Sequence, residues 1–315
     1  MKARPRSTVL SILVIAAVLV LAWGGAKLVG RDSRSPVAPP AAAAAPAAVA
    51  AVPLAGPALT AGESTGASAA AGASVTEATA RVDDLDRTLD GTEIGVAVED
   101  RTTGRTSVGK HGAGTFYSAS VVKLYTVVDI LHRVETRQIA LTPTDRTNIG
   151  RALSFSDDNA ENALWVKFGG AAGVARTIKL AGLNDSSPPR NTSQWGQTLI
   201  SARDVVSLYD YVLTTMAPSG RDMIMGALRN AQDTGADGFD QAFGLINPPR
   251  PAGVAAKQGW MWIGSDFYLH STGVLGTDQR YVVAVLTKNR ASAGAPSART
   301  RVTRAVSEIE QALAG

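Results

Sequence analysis

The chain has 315 residues, a formal net charge of +4 and no cysteine, which excludes disulfides, thiolate metal sites and a lipid-modified cysteine. The charge is mild once the basic N-terminal cluster is set aside. No basic stripe interleaved with aromatics runs through the sequence, so nucleic acid is not an expected partner.

At the N-terminus, Lys2, Arg4 and Arg6 precede an apolar stretch from Val9 to Ala26, broken by Ser11, Gly24 and Gly25. Positive charge followed by such a segment directs the downstream chain out of the cytoplasm. Residues 1–30 are therefore expected to be a signal or anchor segment, just long enough to span a bilayer if it is retained. The expected location is extracytoplasmic, membrane-anchored or secreted, with the membrane contacted through this segment. Residues 31–74 are dominated by Ala, Pro, Gly, Ser and Val, with few charges. That composition buries too little surface to offset its ordering entropy, so a disordered Ala/Pro-rich linker is expected.

Residues 75–315 remain for a folded domain, enough for one substantial core or two closely packed lobes. Apolar residues at Val75, Ala78, Val82, Leu85 and Leu89 have helical spacing. Glu93–Asp100 and Arg105–Gly109 read as strands around the turn Arg101-Thr102-Thr103-Gly104. Helical periodicity covers Ser120–Arg133, Asn159–Phe168, Ala172–Leu180 and Ala202–Leu213. Strands return at Val254–Gly259, Phe267–Leu275 and Tyr281–Thr287, and a last helix carries Val302, Val306, Ile309 and Leu313 on one face. An antiparallel five-stranded sheet built from both chain ends, flanked by helices and with an all-helical lobe inserted, satisfies this order.

The chemistry centres on Ser120-Val121-Val122-Lys123. A serine and a lysine three apart on a helix lie about 60° from each other around its axis, on one face. The surrounding run is apolar, where burial disfavours the charged lysine and lowers its pKa. A neutral amine beside a hydroxyl is a base beside a nucleophile, as acyl transfer requires. Each residue also has a plainer use, the serine as a helix cap and the lysine as a stem packed on apolar surface.

Two later stretches add to the pair: Ser156-Asp157-Asp158 before the Asn159 helix, and Lys257-Gln258-Gly259-Trp260 on a strand. Ser-x-x-Lys, Ser-Asp-Asn and Lys-Thr-Gly occur in this order in class A β-lactamases and penicillin-binding proteins. The chain resembles that serine hydrolase family, with one motif matched in full and two in part. The resemblance covers about residues 75 to 315 and implies the family's β-lactamase/transpeptidase-like fold.

By that resemblance Ser120 is the nucleophile, Lys123 its base, and Ser156 a relay to the leaving nitrogen. Lys257 supplies positive potential, and the backbone N–H groups of Ser120 and Trp260 form the oxyanion hole. Gln258, Gly259 and Trp260 would border the substrate, with Gly259 letting it lie close to the strand. Asp158 stands where the family has asparagine, if Asn162 is the later asparagine of the pattern; a carboxylate there would raise the pKa of Lys123. Asp158 is then either the base itself or a protonated donor, and as plain structure it belongs to a helix-capping cluster. Gln258 replaces the usual hydroxyl residue, although strand alternation turns it away from Lys257 and Gly259.

One family feature is missing. The family's deacylating glutamate falls between the second and third motifs, and the corresponding stretch Gly182–Gly196 contains only Asp185 as an acid. The expected activity is thus acylation of Ser120 by amide or β-lactam carbonyls, with cell-wall peptides or β-lactams as substrates and weak or absent β-lactamase turnover. The alternative is a non-catalytic penicillin or peptidoglycan binding or sensing domain that keeps the fold. No metal or organic cofactor is implied, and a monomer is expected.

Overall fold

A computed structural model describes residues 61–314, with side chains from Ser74 onward. The expected signal or anchor segment and most of the expected linker lie outside the described residues. Among the described residues no helix is long and apolar enough to cross a membrane.

Helix α1 (Ala61–Asp86) leads into strands β1 (Thr92–Asp100) and β2 (Arg105–Val108). The helix begins at Ala61, so the last part of the expected linker is helical. Alanine, the strongest helix former, makes up much of that part. The β1–β2 hairpin turns on Gly104, whose φ of +67° is open to a residue without Cβ. A short strand β3 (Phe116–Tyr117) and a 3-10 turn (Ala119–Val121) open the helical lobe.

That lobe contains α2 (Val122–Glu135), α3 (Pro143–Ser154), α4 (Asp158–Phe168), α5 (Gly170–Leu180), strand β4 (Leu199–Ile200), α6 (Ala202–Thr214) and α7 (Pro218–Arg229). Helices α3 and α7 are additional to the periodicity reading. Both start on proline at the first turn, and α3 carries a full capping box between Thr142 and Asp145. In α3 apolar positions are few and the cap was the signal, whereas α7 buries Ile224, Met225 and Leu228 at a helical spacing that the periodicity reading passed over.

The chain returns to the sheet with β5 (Ala255–Ile263), β6 (Asp266–Leu275) and β7 (Tyr281–Arg290), and closes with α8 (Gly294–Ala314). The five strands form the expected antiparallel sheet from both chain ends, and their order in it is β2-β1-β7-β6-β5. Period-two alternation gives the sheet two apolar faces and hence two cores. Ile94, Val96, Val98, Val283 and Val285 pack with α1 and α8, while Ala97, Ala284 and Leu286 face the helical lobe. β5 is an edge strand, and its free side runs along the 3-10 turn that carries Ser120.

Candidate active site

Three chain segments meet at the end of β5. Ser120 lies in the 3-10 turn just before α2, Lys123 in the first turn of α2, and Ser156 and Asp158 at the start of α4. Lys257 reaches in from β5. Asp157 caps α4 by accepting from the backbone N–H groups of Asn159 and Ala160, and it pairs with Arg151 at 2.6 Å. That cap aims Asp158 toward Lys123. Ala119 and Ser156 both hold left-handed backbone, with φ of +45° and +53°. Such conformations cost about 1–3 kcal/mol each for residues with a Cβ and persist where packing overrides them.

Lys123 is wholly buried and its Nζ is saturated. It donates to Ser120 Oγ at 2.9 Å, to the Ser156 carbonyl oxygen at 2.6 Å and to Asp158 Oδ1 at 2.6 Å. A longer contact of 3.4 Å reaches Ser156 Oγ. Lys257 Nζ donates to the same Ser156 Oγ at 2.9 Å and to the Gln258 carbonyl oxygen at 2.7 Å. One hydroxyl therefore bridges two buried lysines.

Burial pulls the pKa of Lys123 down, and Asp158 opposes it. For Lys257 burial acts together with the charge of Lys123, and its pKa falls well below the ordinary lysine range. Both amines are thereby brought closer to the neutral form that a base requires.

The loop where the family carries its deacylating glutamate is anchored to the turn that holds Ser120. β3 pairs with β4, the Ser118 N–H donates to the Thr198 carbonyl oxygen at 2.8 Å, and Ser118 Oγ donates to the Gly196 carbonyl oxygen. This places Trp195 with its ring centroid 4.9 Å from Lys123 Nζ and its Nε1 donating to Asn162 Oδ1 at 2.9 Å. Asp185 points elsewhere, bonded to Ser201 Oγ and ion-paired with Arg203 at 2.7 Å. A cleft of about 330 Å³ opens over this arrangement, lined by Ser120, Asp158, Asn162, Trp195, Trp260 and Met261 among others. Larger hollows exist along α8 and between β1 and α6, but neither contains Ser120 or a lysine.

Of the residues singled out in the sequence, the structure brings Ser120, Lys123, Ser156, Asp158 and Lys257 into one hydrogen-bonded cluster. Trp260 borders the cleft, its ring stacked on Phe239 at 4.6 Å. Gln258 is a correction: its side chain is buried on the opposite face of β5, where Nε2 donates to the Phe243 carbonyl oxygen at 2.5 Å. It does not line the cleft. Gly259 is packed closely by its neighbours. A Cβ there would lie 3.1 Å from the Ser118 carbonyl oxygen and 3.2 Å from Val121 Cγ2. The missing side chain lets the strand lie close against the turn that carries Ser120.

Sequence reasoning missed Glu161 and the role of Trp195. Glu161 could have been found: with Leu164, Trp165 and Phe168 it occupies the buried face of α4, an unusual place for a carboxylate.

The family model described as "Beta-lactamase enzyme family" matches residues 77–148 and 144–313. The chain belongs to the beta-lactamase enzyme family. A relative named putative lipoprotein LppW, from Mycobacterium tuberculosis, is 34% identical over 220 residues, covering 69% of each chain. Among solved structures of the same fold, a beta-lactamase from Chitinophaga pinensis superposes with a TM-score of 0.63 at 16% identity. The match covers 75% of this chain and 98% of that one. A variant of PBP-A, solved as an acyl-enzyme complex with penicillin G, superposes with a TM-score of 0.59 at 17% identity. It covers 76% of this chain and 97% of that one.

Proposed function

We propose that this beta-lactamase family chain is an exported serine hydrolase whose Ser120 is acylated by the amide or β-lactam carbonyl of a cell-wall peptide or a β-lactam. The observation that carries the reading is the 2.9 Å contact between Lys123 Nζ and Ser120 Oγ, in a site dry enough to favour the neutral amine.

Attack begins when Lys123 has lost one proton to its surroundings and its lone pair faces the serine. The Ser120 Oγ–H proton passes to Lys123 as the Oγ–carbonyl bond forms. The oxyanion would be held by the backbone N–H groups of Ser120 and Trp260. Collapse breaks the carbonyl–nitrogen bond, and Ser156 Oγ gives its proton to the departing nitrogen. The adjacent lysines can resupply that proton, since both Nζ atoms contact Ser156 Oγ. The acylated PBP-A variant of the same fold supports this reading by analogy.

Deacylation is expected to be slow. Asp185 is the only acid in the loop 182–196 and is turned toward Arg203, while an indole covers Lys123. The same saturation of Lys123 favours a second reading, a penicillin or peptidoglycan binding or sensing domain without turnover. Export rests on the basic and apolar N-terminus. The proposed layout keeps residues 1–30 as signal or anchor, a linker after it, and the hydrolase domain to the C-terminus.

The test is intact mass of the full-length protein with benzylpenicillin, with Ser120→Ala as the blank. A persistent serine-dependent adduct supports acylation with slow turnover. Serine-dependent drug loss without an adduct would make the protein an efficient β-lactamase. Neither adduct nor drug loss transfers the lead to the binding domain.

A further inference from the structure

Glu161 sits one helical turn beyond Asp158 on α4, fully buried. Its Oε1 accepts from Thr126 Oγ1 at 2.7 Å, and its Oε2 is buried with no hydrogen-bond partner. Thr126 is likewise one turn beyond Lys123 on α2. The two helices are thus joined by parallel rungs, Lys123–Asp158 and Thr126–Glu161. The second rung carries a buried carboxylate oxygen with no hydrogen-bond partner, one helical turn from the Lys123–Asp158 rung.

We infer that Glu161 is a positioning residue for this site, whose buried carboxylate sets how readily the Lys123–Lys257 pair releases a proton. The kinetic part of its test rests on the acylation reading above, whereas the role itself concerns only the charges. An anion in a dry interior favours the ammonium form of every lysine it faces, and low dielectric makes the effect strong.

The charged groups around Glu161 are few. Lys123 from α2 and Lys257 from β5 act on it favourably, and Asp158 from its own helix opposes its ionisation. Asp157 is engaged by Arg151 of α3, and Arg176 of α5 is engaged by Asp129 of α2. Neither of those pairs leaves a free charge for Glu161. Burial is the largest influence on Glu161 and pushes its pKa up to about 7. Near neutral pH the carboxyl ionises, and as it does so it tightens the lysines' hold on their protons. The three groups titrate as one coupled set.

Glu161→Gln keeps the shape and the bond to Thr126 but removes the charge. Both lysine pKa values should fall. The rising limb of the Ser120 acylation rate against pH, measured by intact mass with benzylpenicillin on the full-length protein, should move down by about one pH unit, making acylation about tenfold faster on that limb. A limb that superposes on the wild type overturns the inference. A purely structural carboxylate would change the melting temperature and leave the limb in place.

A second measurement needs neither the variant nor acylation. In ¹³C-lysine-labelled wild-type protein, the Cε signals of Lys123 and Lys257 should show a step near pH 7 as Glu161 ionises. Absence of that step from both signals overturns the inference. If the wild type forms no adduct, the acylation reading fails while this titration still decides the role of Glu161.

Discussion

Asp158 Oδ1 lies 2.6 Å from Lys123 Nζ, closer than the Ser120 hydroxyl that the lysine would deprotonate in the proposed acylation. The carboxylate is half-exposed, with 59% of its side chain accessible, whereas the lysine is wholly buried. An ion pair of this kind opposes the effect of burial, raising the pKa of Lys123 and weakening it as a base. No hydrogen bond joins Asp158 to Ser120, so the lysine is the better placed of the two to take the serine's proton. Asp158→Asn should therefore lower the pKa of Lys123 and speed acylation at neutral pH, about tenfold for every pH unit by which that pKa falls. Second-order rate constants with benzylpenicillin at neutral pH check this. Loss of acylation in the variant would make Asp158 the base.

Trp195 closes the remaining side of Lys123. With three N–H groups already directed at Ser120, Ser156 and Asp158, the amine has no donor left for a water, and the indole covers its free flank. Trp195→Ala should open that flank and shorten the life of an acyl-Ser120 several-fold. Trp195→Phe, which keeps an aromatic face but loses the bond to Asn162, should have a smaller effect. The decay of adduct mass after removal of free drug measures both.

Much of this site was legible in the sequence because it depends on local rules. Helical spacing put Ser120 beside Lys123, and capping chemistry put Asp157 and Asp158 at the start of α4. Strand alternation correctly turned Gln258 away from Lys257, and it was the family pattern that drew Gln258 into the substrate site. What local rules did not reach were contacts between distant segments. Trp195 meets Lys123 only because β3 pairs with β4, and two-residue strands leave no periodicity to read. Gly259 packs on Ser118 for a similar reason, since an edge strand's neighbour across the cleft is a matter of topology. Helix α3 was announced by Thr142-Pro143-Thr144-Asp145, a capping signal that apolar periodicity does not register.

Gly259→Ala tests that packing. The added methyl would crowd the Ser118 carbonyl oxygen, Val121 and the His270 ring, with approaches of 3.1 to 3.3 Å. The strand must give by a few tenths of an ångström, which moves the Trp260 N–H relative to Ser120. Overpacking of this kind costs about 1–3 kcal/mol. Acylation should fall more than stability does, as seen by comparing rate constants with the urea midpoint.

His270 offers the last test, because it supports Tyr117 three residues before Ser120. Its Nε2 lies 2.8 Å from the Tyr117 carbonyl oxygen and its Nδ1 accepts from the Thr287 N–H at 3.2 Å, which assigns a neutral ring with the proton on Nε2. Burial lowers its pKa from 6.5 to about 4. The unfolded chain therefore binds a proton that the folded chain refuses as pH falls below 6.5. The contribution of His270 to stability is complete above that value and is lost progressively toward pH 4, by about 3 kcal/mol in all. Glu161 runs the other way: its raised pKa favours the fold below pH 4.5, and that contribution is lost as pH rises to about 7. Urea unfolding of wild type and His270→Gln at pH 7 and pH 4.5 separates the two, because only the histidine is changed. The variant should lose less stability on acidification than the wild type. An equal loss in both would mean that the ring is not held neutral.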